Sequence, residues 1–209
     1  MGGNALDLIS LFGTVTDSLR GKQTELNKAD DYNQNHGDNM VEIFEVITQA
    51  MREKKNADPA DQLEYASQIL RKKSQSGSAQ LYSSGLAQAA QQFVGKQVTS
   101  GNALTLIQSL MGGGQAPPPV EEPANPLGSL LSGLVGGGQA QEDDSGFDAG
   151  DLLSAGMAFL TSKQSGKSDT EAIIDALISG SQMGSSAHRA QSGTLVTQTL
   201  LDVIGSLAG

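Results

Sequence analysis

LNKADDYNQNHGDNM, residues 26 to 40, lies between two segments whose apolar residues recur at helical spacing. Upstream run Leu8, Phe12, Val15 and Leu19; downstream run Met40, Ile43, Phe44, Ile47 and Met51. Steps of three and four residues put each set on one face of a helix, where an alternating strand pattern would split it between two faces. The stretch is therefore a polar connection between two amphipathic helices, each with one buried stripe. Its last four residues, His36-Gly37-Asp38-Asn39, are expected to lead into a helix starting near Met40, with Asn39 and Glu42 as a capping pair.

The same periodicity predicts further helices near residues 60–73, 79–95, 102–111, 149–162, 170–182 and 194–208, and no strand. Two stretches rich in Gly, Pro and charge, 112–126 and 136–146, read as disordered linkers around a short helix at 127–135. Running into them, LIQSLMGGGQA (106–116) is repeated as LLSGLVGGGQA (130–140), which reads as a local duplication that lengthened a loop. The fold class expected is all-α, a single domain over 1–209 with a long low-complexity insertion. With 37% hydrophobic and 4% aromatic residues and no Trp, its core should be aliphatic.

A net charge of -10 opposes binding to nucleic acid or to an anionic membrane, and no partner of either kind is expected. The absence of cysteine excludes disulfides, thiolate metal sites and a Cys nucleophile. No run reaches the ~18 apolar residues of a membrane span, and MGGNALDL lacks the basic and apolar regions of a signal peptide, with Leu6 where a myristoylation motif needs Ser or Thr. A cytoplasmic location is the expectation.

Three segments share one design, a short polar loop feeding a helix start: His36-Gly37-Asp38-Asn39, Ser76-Gly77-Ser78 within SQSGS (74–78), and Gln191-Ser192-Gly193-Thr194. A helix start carries unpaired N–H groups and the positive pole of the helix dipole, which together attract phosphate. Taken singly, each is also an ordinary cap.

In order and with their flanks, the three segments resemble the DhaL-type domain, the L subunit of dihydroxyacetone (glycerone) kinase, also found at the front of fatty acid kinase proteins. Leu26-Asn27 followed by Asn33-Gln34-Asn35-His36-Gly37-Asp38-Asn39-Met40 is similar to that family's first loop, an L-N/D pair and then D-G-D-H/T-G-x-N-M. Gly77-Ser78-Ala79-Gln80-Leu81-Tyr82-Ser83 resembles its G-A-S-G-P-L-Y-G, and Ala149-Gly150-Asp151-Leu152-Leu153-Ser154 its P-G-D-K-T-M. Gln191-Ser192-Gly193-Thr194 is similar to its closing D-P-G-A. The resemblance spans the chain apart from 112–146.

What the resemblance implies is an eight-helix antiparallel barrel that binds ADP or ATP at one end. His36, Gly37, Asp38 and Asn39, with Ser76, Gly77 and Ser78, would cradle the phosphates, and Gln191, Ser192 and Gly193 would close on the nucleotide. The family holds magnesium with three aspartates, and the matching positions here are Asn27, Asn33 and Asn35. Neutral amides forfeit most of the attraction a carboxylate cluster exerts on a hard cation, so no metal residue is assigned and metal-dependent phosphotransfer should be weak or lost. Asp30, Asp31 and Asp38 in the same loop are read as solvated and capping charges, and His188 beside Arg189 as a solvated surface pair.

The function expected is a divergent DhaL-like binder of a nucleotide or another phosphorylated small molecule, with no catalytic residue assigned. One alternative is an active glycerone kinase component that uses displaced carboxylates and a separate substrate-binding protein subunit, because the ketone-binding domain is not in these 209 residues. Another is a non-catalytic interaction module recruited through the Gly-rich leucine repeat.

Overall fold

The computed structural model describes residues 5–112 and 169–208. Within them the chain forms seven α-helices: α1 (Leu8–Lys28), α2 (His36–Glu53), α3 (Pro59–Lys73), α4 (Gly77–Gln92), α5 (Ala103–Gly112), α6 (Asp169–Ser179) and α7 (Ala187–Ala208). A short 3-10 turn, Gln182–Ser185, joins the last two. The only extended pairing among the described residues is an isolated bridge between Ala5 and Thr99, beside which the Leu6 N–H donates to the Val98 carbonyl at 2.7 Å. The all-α expectation holds. The expected elements at 127–135 and 149–162 and the linkers lie outside the described residues, apart from Gly112 at the end of α5.

Local chemistry sets the helix ends. Asp7 caps α1 by accepting from the Ile9 N–H at 3.1 Å and from the Ser10 hydroxyl, a type of contact worth about 1 kcal/mol. α3 opens on Pro59, whose missing N–H is no loss in a first turn, and ends on Arg71, Lys72 and Lys73, cations that suit the negative pole of the helix. Ser76 caps α4 by accepting from the Ala79 N–H at 3.2 Å.

Each helix from α1 to α5 packs against the next, α5 also touches α6 and α7, and α7 packs along α1, so the order of contacts closes on itself. The predicted stripes line the interior: Leu8, Phe12, Val15 and Leu19 of α1 and Met40, Ile43, Phe44, Ile47 and Met51 of α2 are all buried. Phe44 stacks on Phe12 with ring centroids 6.2 Å apart and meets Tyr82 edge-on at 4.9 Å. α4 and α5 approach closely because position 85 is glycine; a Cβ there would lie 2.5 Å from the Ser109 carbonyl oxygen.

Two helix starts differ from expectation. α2 begins at His36 rather than near Met40, so Asn39 lies inside its first turn and is not a cap. Asn35 takes the cap position without a side-chain cap bond, and its Oδ1 instead accepts from the Asn39 amide at 2.9 Å. The turn before it is tight, with Gln34 at φ 56°. α7 begins at Ala187 rather than at 194, so Gln191-Ser192-Gly193-Thr194 is helix and not a loop. The reason is tertiary: a Cβ on Gly193 would come within 2.8 Å of Ile178 Cδ1, so this glycine serves close packing of α7 on α6 and does not break the helix.

Candidate functional site

α2, α4 and α7 bring the three predicted segments together. His36, the first residue of α2, is 4% exposed, and its Nε2 lies 2.9 Å from the Ser192 hydroxyl on α7. The Ser192 hydroxyl donates its single hydrogen to the Arg189 carbonyl at 3.0 Å, so the proton between His36 and Ser192 belongs to the imidazole Nε2. The His36 ring also meets that of His188 edge-on at 4.7 Å. On the far side, the Arg189 guanidinium rests against Gly77 at the start of α4, where a Cβ would collide with it.

The first turns of these helices thus meet with one guanidinium and two imidazoles. Burial, then His188 and Arg189, push the His36 pKa down to about 4 against the opposing pull of Asp30, so the ring is neutral at pH 7. Asp30 is buried, which corrects its reading as a solvated charge. Burial alone would raise its pKa, but backbone N–H groups of Tyr32, Asn35 and Asn33, together with His188, hold its carboxyl below the usual range. The Tyr32 N–H bond measures 3.1 Å. His188 is likewise more than a surface residue, being half-buried with its ring on His36.

The predicted site residues divide by accessibility. Gly37 is buried where α2 crosses α1, and a Cβ on it would strike the Gln23 carbonyl oxygen and come 2.8 Å from Asn27 Oδ1. Asp38 is exposed, but its carboxylate accepts from Gln23 Nε2 at 2.8 Å and from Asn27 Nδ2 at 2.9 Å. These two amides hold its pKa below the ordinary carboxylate value. Ser78, Ser192 and Gly193 are buried, and Asn39 is half-buried on Asn35. Gly77 and Gln191 are exposed, and Ser76 is half-buried. By position, the N–H groups of Gly77 and Ser78 precede the first intrahelical bond of α4, while Ser76 satisfies that of Ala79.

The three asparagines do separate work. Asn27 ties α1 to α2 through Asp38, Asn33 Oδ1 accepts from the Asn35 N–H at 3.4 Å, and Asn35 holds Asn39. Among the described residues no group of three or more His, Asp or Glu side chains is arranged to hold a metal ion. Sequence reading passed over Arg189 as a site residue; its signal was weak, one basic residue in MGSSAHRAQSG, two residues before the predicted third loop.

No family model, curated protein or solved structure matches this chain.

Proposed function

We propose that the chain binds a phosphate-bearing small molecule, a nucleotide before others, where the first turns of α2, α4 and α7 converge. The observation that carries this reading is Arg189 against Gly77, a guanidinium at the exposed start of a capped helix. The dipole of α4, its leading N–H groups and the permanent cation all favour a compact anion at that point. Arg189 forms no ion pair among the described residues.

The reading extends the resemblance to DhaL-type domains. The segments that such a domain would wrap around a nucleotide are those joined here by His36, Ser192, Arg189 and Gly77. The closed order of helix contacts suits an eight-helix antiparallel barrel of that type. In this proposal His36 and Ser192 are positioning residues that fix α7 to α2, and the ligand meets the outer groups, Ser76, Gly77, Arg189 and Gln191. Magnesium-dependent phosphotransfer is weak or absent in it, because Asn27 and Asp38 spend on each other the groups that a metal loop would aim outward.

The test is thermal denaturation of the full chain with ATP, ADP or inorganic phosphate, each with and without magnesium. A ligand that binds only the folded state raises stability by RT ln(1 + [L]/Kd). A saturable rise in Tm without magnesium dependence is the expected result. A rise only with magnesium would favour a working kinase component, and no rise with any of the three would remove the proposal.

A further inference from the structure

Away from that end of the molecule, α1 and α2 line a half-open pocket of about 260 Å³. It lies along the second half of α2: Thr48 is twelve residues beyond His36, or about 18 Å at the helical rise of 1.5 Å per residue. Gly13, Thr16 and Arg20 of α1 and Glu45, Thr48 and Arg52 of α2 supply most of the walls, and Asp17 and Gln49 complete the lining. Steps of three and four residues align each trio on one helix face. The antiparallel register is fixed by Thr16 on Thr48 (3.2 Å) and Arg20 on Glu45 (2.6 Å), which puts Gly13 across from the turn carrying Arg52.

The hydrogen-bonding inventory of this cavity is unbalanced. Arg20 is satisfied by Asp17 at 3.1 Å and by Glu45. The Arg52 guanidinium has no hydrogen bond or ion pair among the described residues. Thr16 and Thr48 are each 4% exposed. The Thr16 hydroxyl gives its hydrogen to the Phe12 carbonyl at 2.9 Å, so Thr48 is the donor between the two threonines and its own lone pairs remain free to accept. The pocket thus offers an exposed cation with no partner among the described residues and a buried acceptor.

Gly13 points the same way. Gly is disfavoured inside a helix relative to Ala, and neither a positive φ nor a close approach requires it here, since a Cβ would meet nothing within 4 Å. The missing side chain leaves this part of the pocket wall open.

We infer that this cavity is a binding site for a small carboxylic acid bearing a hydrogen-bond donor, of the size and kind of an α-amino or α-hydroxy acid. The carboxylate pairs with Arg52 over Gly13, and the donor reaches Thr48 Oγ1. The site is independent of the phosphate-binding end.

The experiment is an amide ¹H–¹⁵N correlation titration of the full chain with the common L-amino acids and L-lactate, each beside its methyl ester. At least one acid should shift the Gly13, Thr16 and Thr48 amides saturably at ~1 mM, with its ester inactive. Arg52→Gln should weaken that binding at least tenfold, in the range expected for a lost charge-assisted bond. Gly13→Leu, which fills the space, should abolish it. The inference is overturned if no acid saturates, if ester and acid bind alike, or if Arg52→Gln leaves the affinity unchanged. Because Arg52 is exposed, its variant decides the matter even if Gly13→Leu fails to fold.

Discussion

Asn27 and Asp38 hold each other in both directions: the Asn27 amide donates to the Asp38 carboxylate at 2.9 Å, and the Asp38 N–H donates to Asn27 Oδ1 at 3.1 Å. Only a side chain with both a donor and an acceptor completes this pair, which accounts for an amide at position 27. Asn27→Asp removes the donor and sets two anions side by side. At pH 7 without divalent metal, its Tm should fall by roughly 2–4 °C. Asp38 is held below the ordinary carboxylate pKa in the folded chain, so its bonds contribute at neutral pH and are lost as pH falls through that lowered value. The deficit of the variant should therefore shrink toward pH 3. Equal melting of the two proteins at pH 7 would show that the pair contributes nothing.

His36 makes folding sensitive to mild acid. Its folded pKa of about 4 lies below the unfolded value of 6.5, so between these two pH values the unfolded chain binds more protons than the folded one. The native state keeps its full margin above pH 6.5 and loses it progressively as pH falls to about 4. Integrated over that window and discounted for solvent screening of a partly accessible ring, the loss is roughly 1–2 kcal/mol. His36→Gln retains an N–H donor for Ser192 and cannot titrate, so the difference in unfolding free energy between the two proteins should change by about that amount between pH 7 and pH 4. Urea unfolding at pH 7, 5.5 and 4.5 measures it, and parallel pH profiles would refute the buried neutral imidazole.

Much of the architecture is legible locally. The stripes of α1 and α2 face the interior as periodicity requires, Pro59 opens α3, and Ser76 caps α4. What sequence reading missed has a non-local cause. Ser192-Gly193 looks like a break, yet it continues α7 because Ile178 and Met183 press on Gly193. His36 looks like a loop residue, yet it is buried by a partner 156 positions away. The placement of Arg189 on Gly77 depends on where α7 begins, and that start lies seven residues before the expected 194.

Tyr82 tests the core. The side chain is fully buried against Phe44, and its hydroxyl has no hydrogen-bond partner among the described residues. Burial raises its pKa, so it stays protonated and bears the cost of an unpaired polar group. Tyr82→Phe removes the oxygen while keeping the ring contact. It should raise unfolding free energy by about 1 kcal/mol, read from chemical denaturation; a loss of that size would reveal a partner for the hydroxyl.

Arg189 separates binding from folding. Its guanidinium is half-exposed and rests on Gly77 without an ion pair among the described residues, so Arg189→Gln should leave the stability of the ligand-free chain within ~0.5 kcal/mol. A charge-assisted bond to phosphate is worth ~1.5–3 kcal/mol, so nucleotide affinity should fall by roughly 10- to 100-fold. Gly77→Ala attacks the same place from the other side. Its new methyl displaces only the flexible tip of Arg189, and the helix loses no favoured residue, so the fold should persist while the cation is pushed off the helix start. Calorimetric titration of ADP into the three proteins gives the comparison. Loss of affinity in both variants with unchanged melting places the anion between Arg189 and α4, whereas undiminished affinity in both would move it elsewhere.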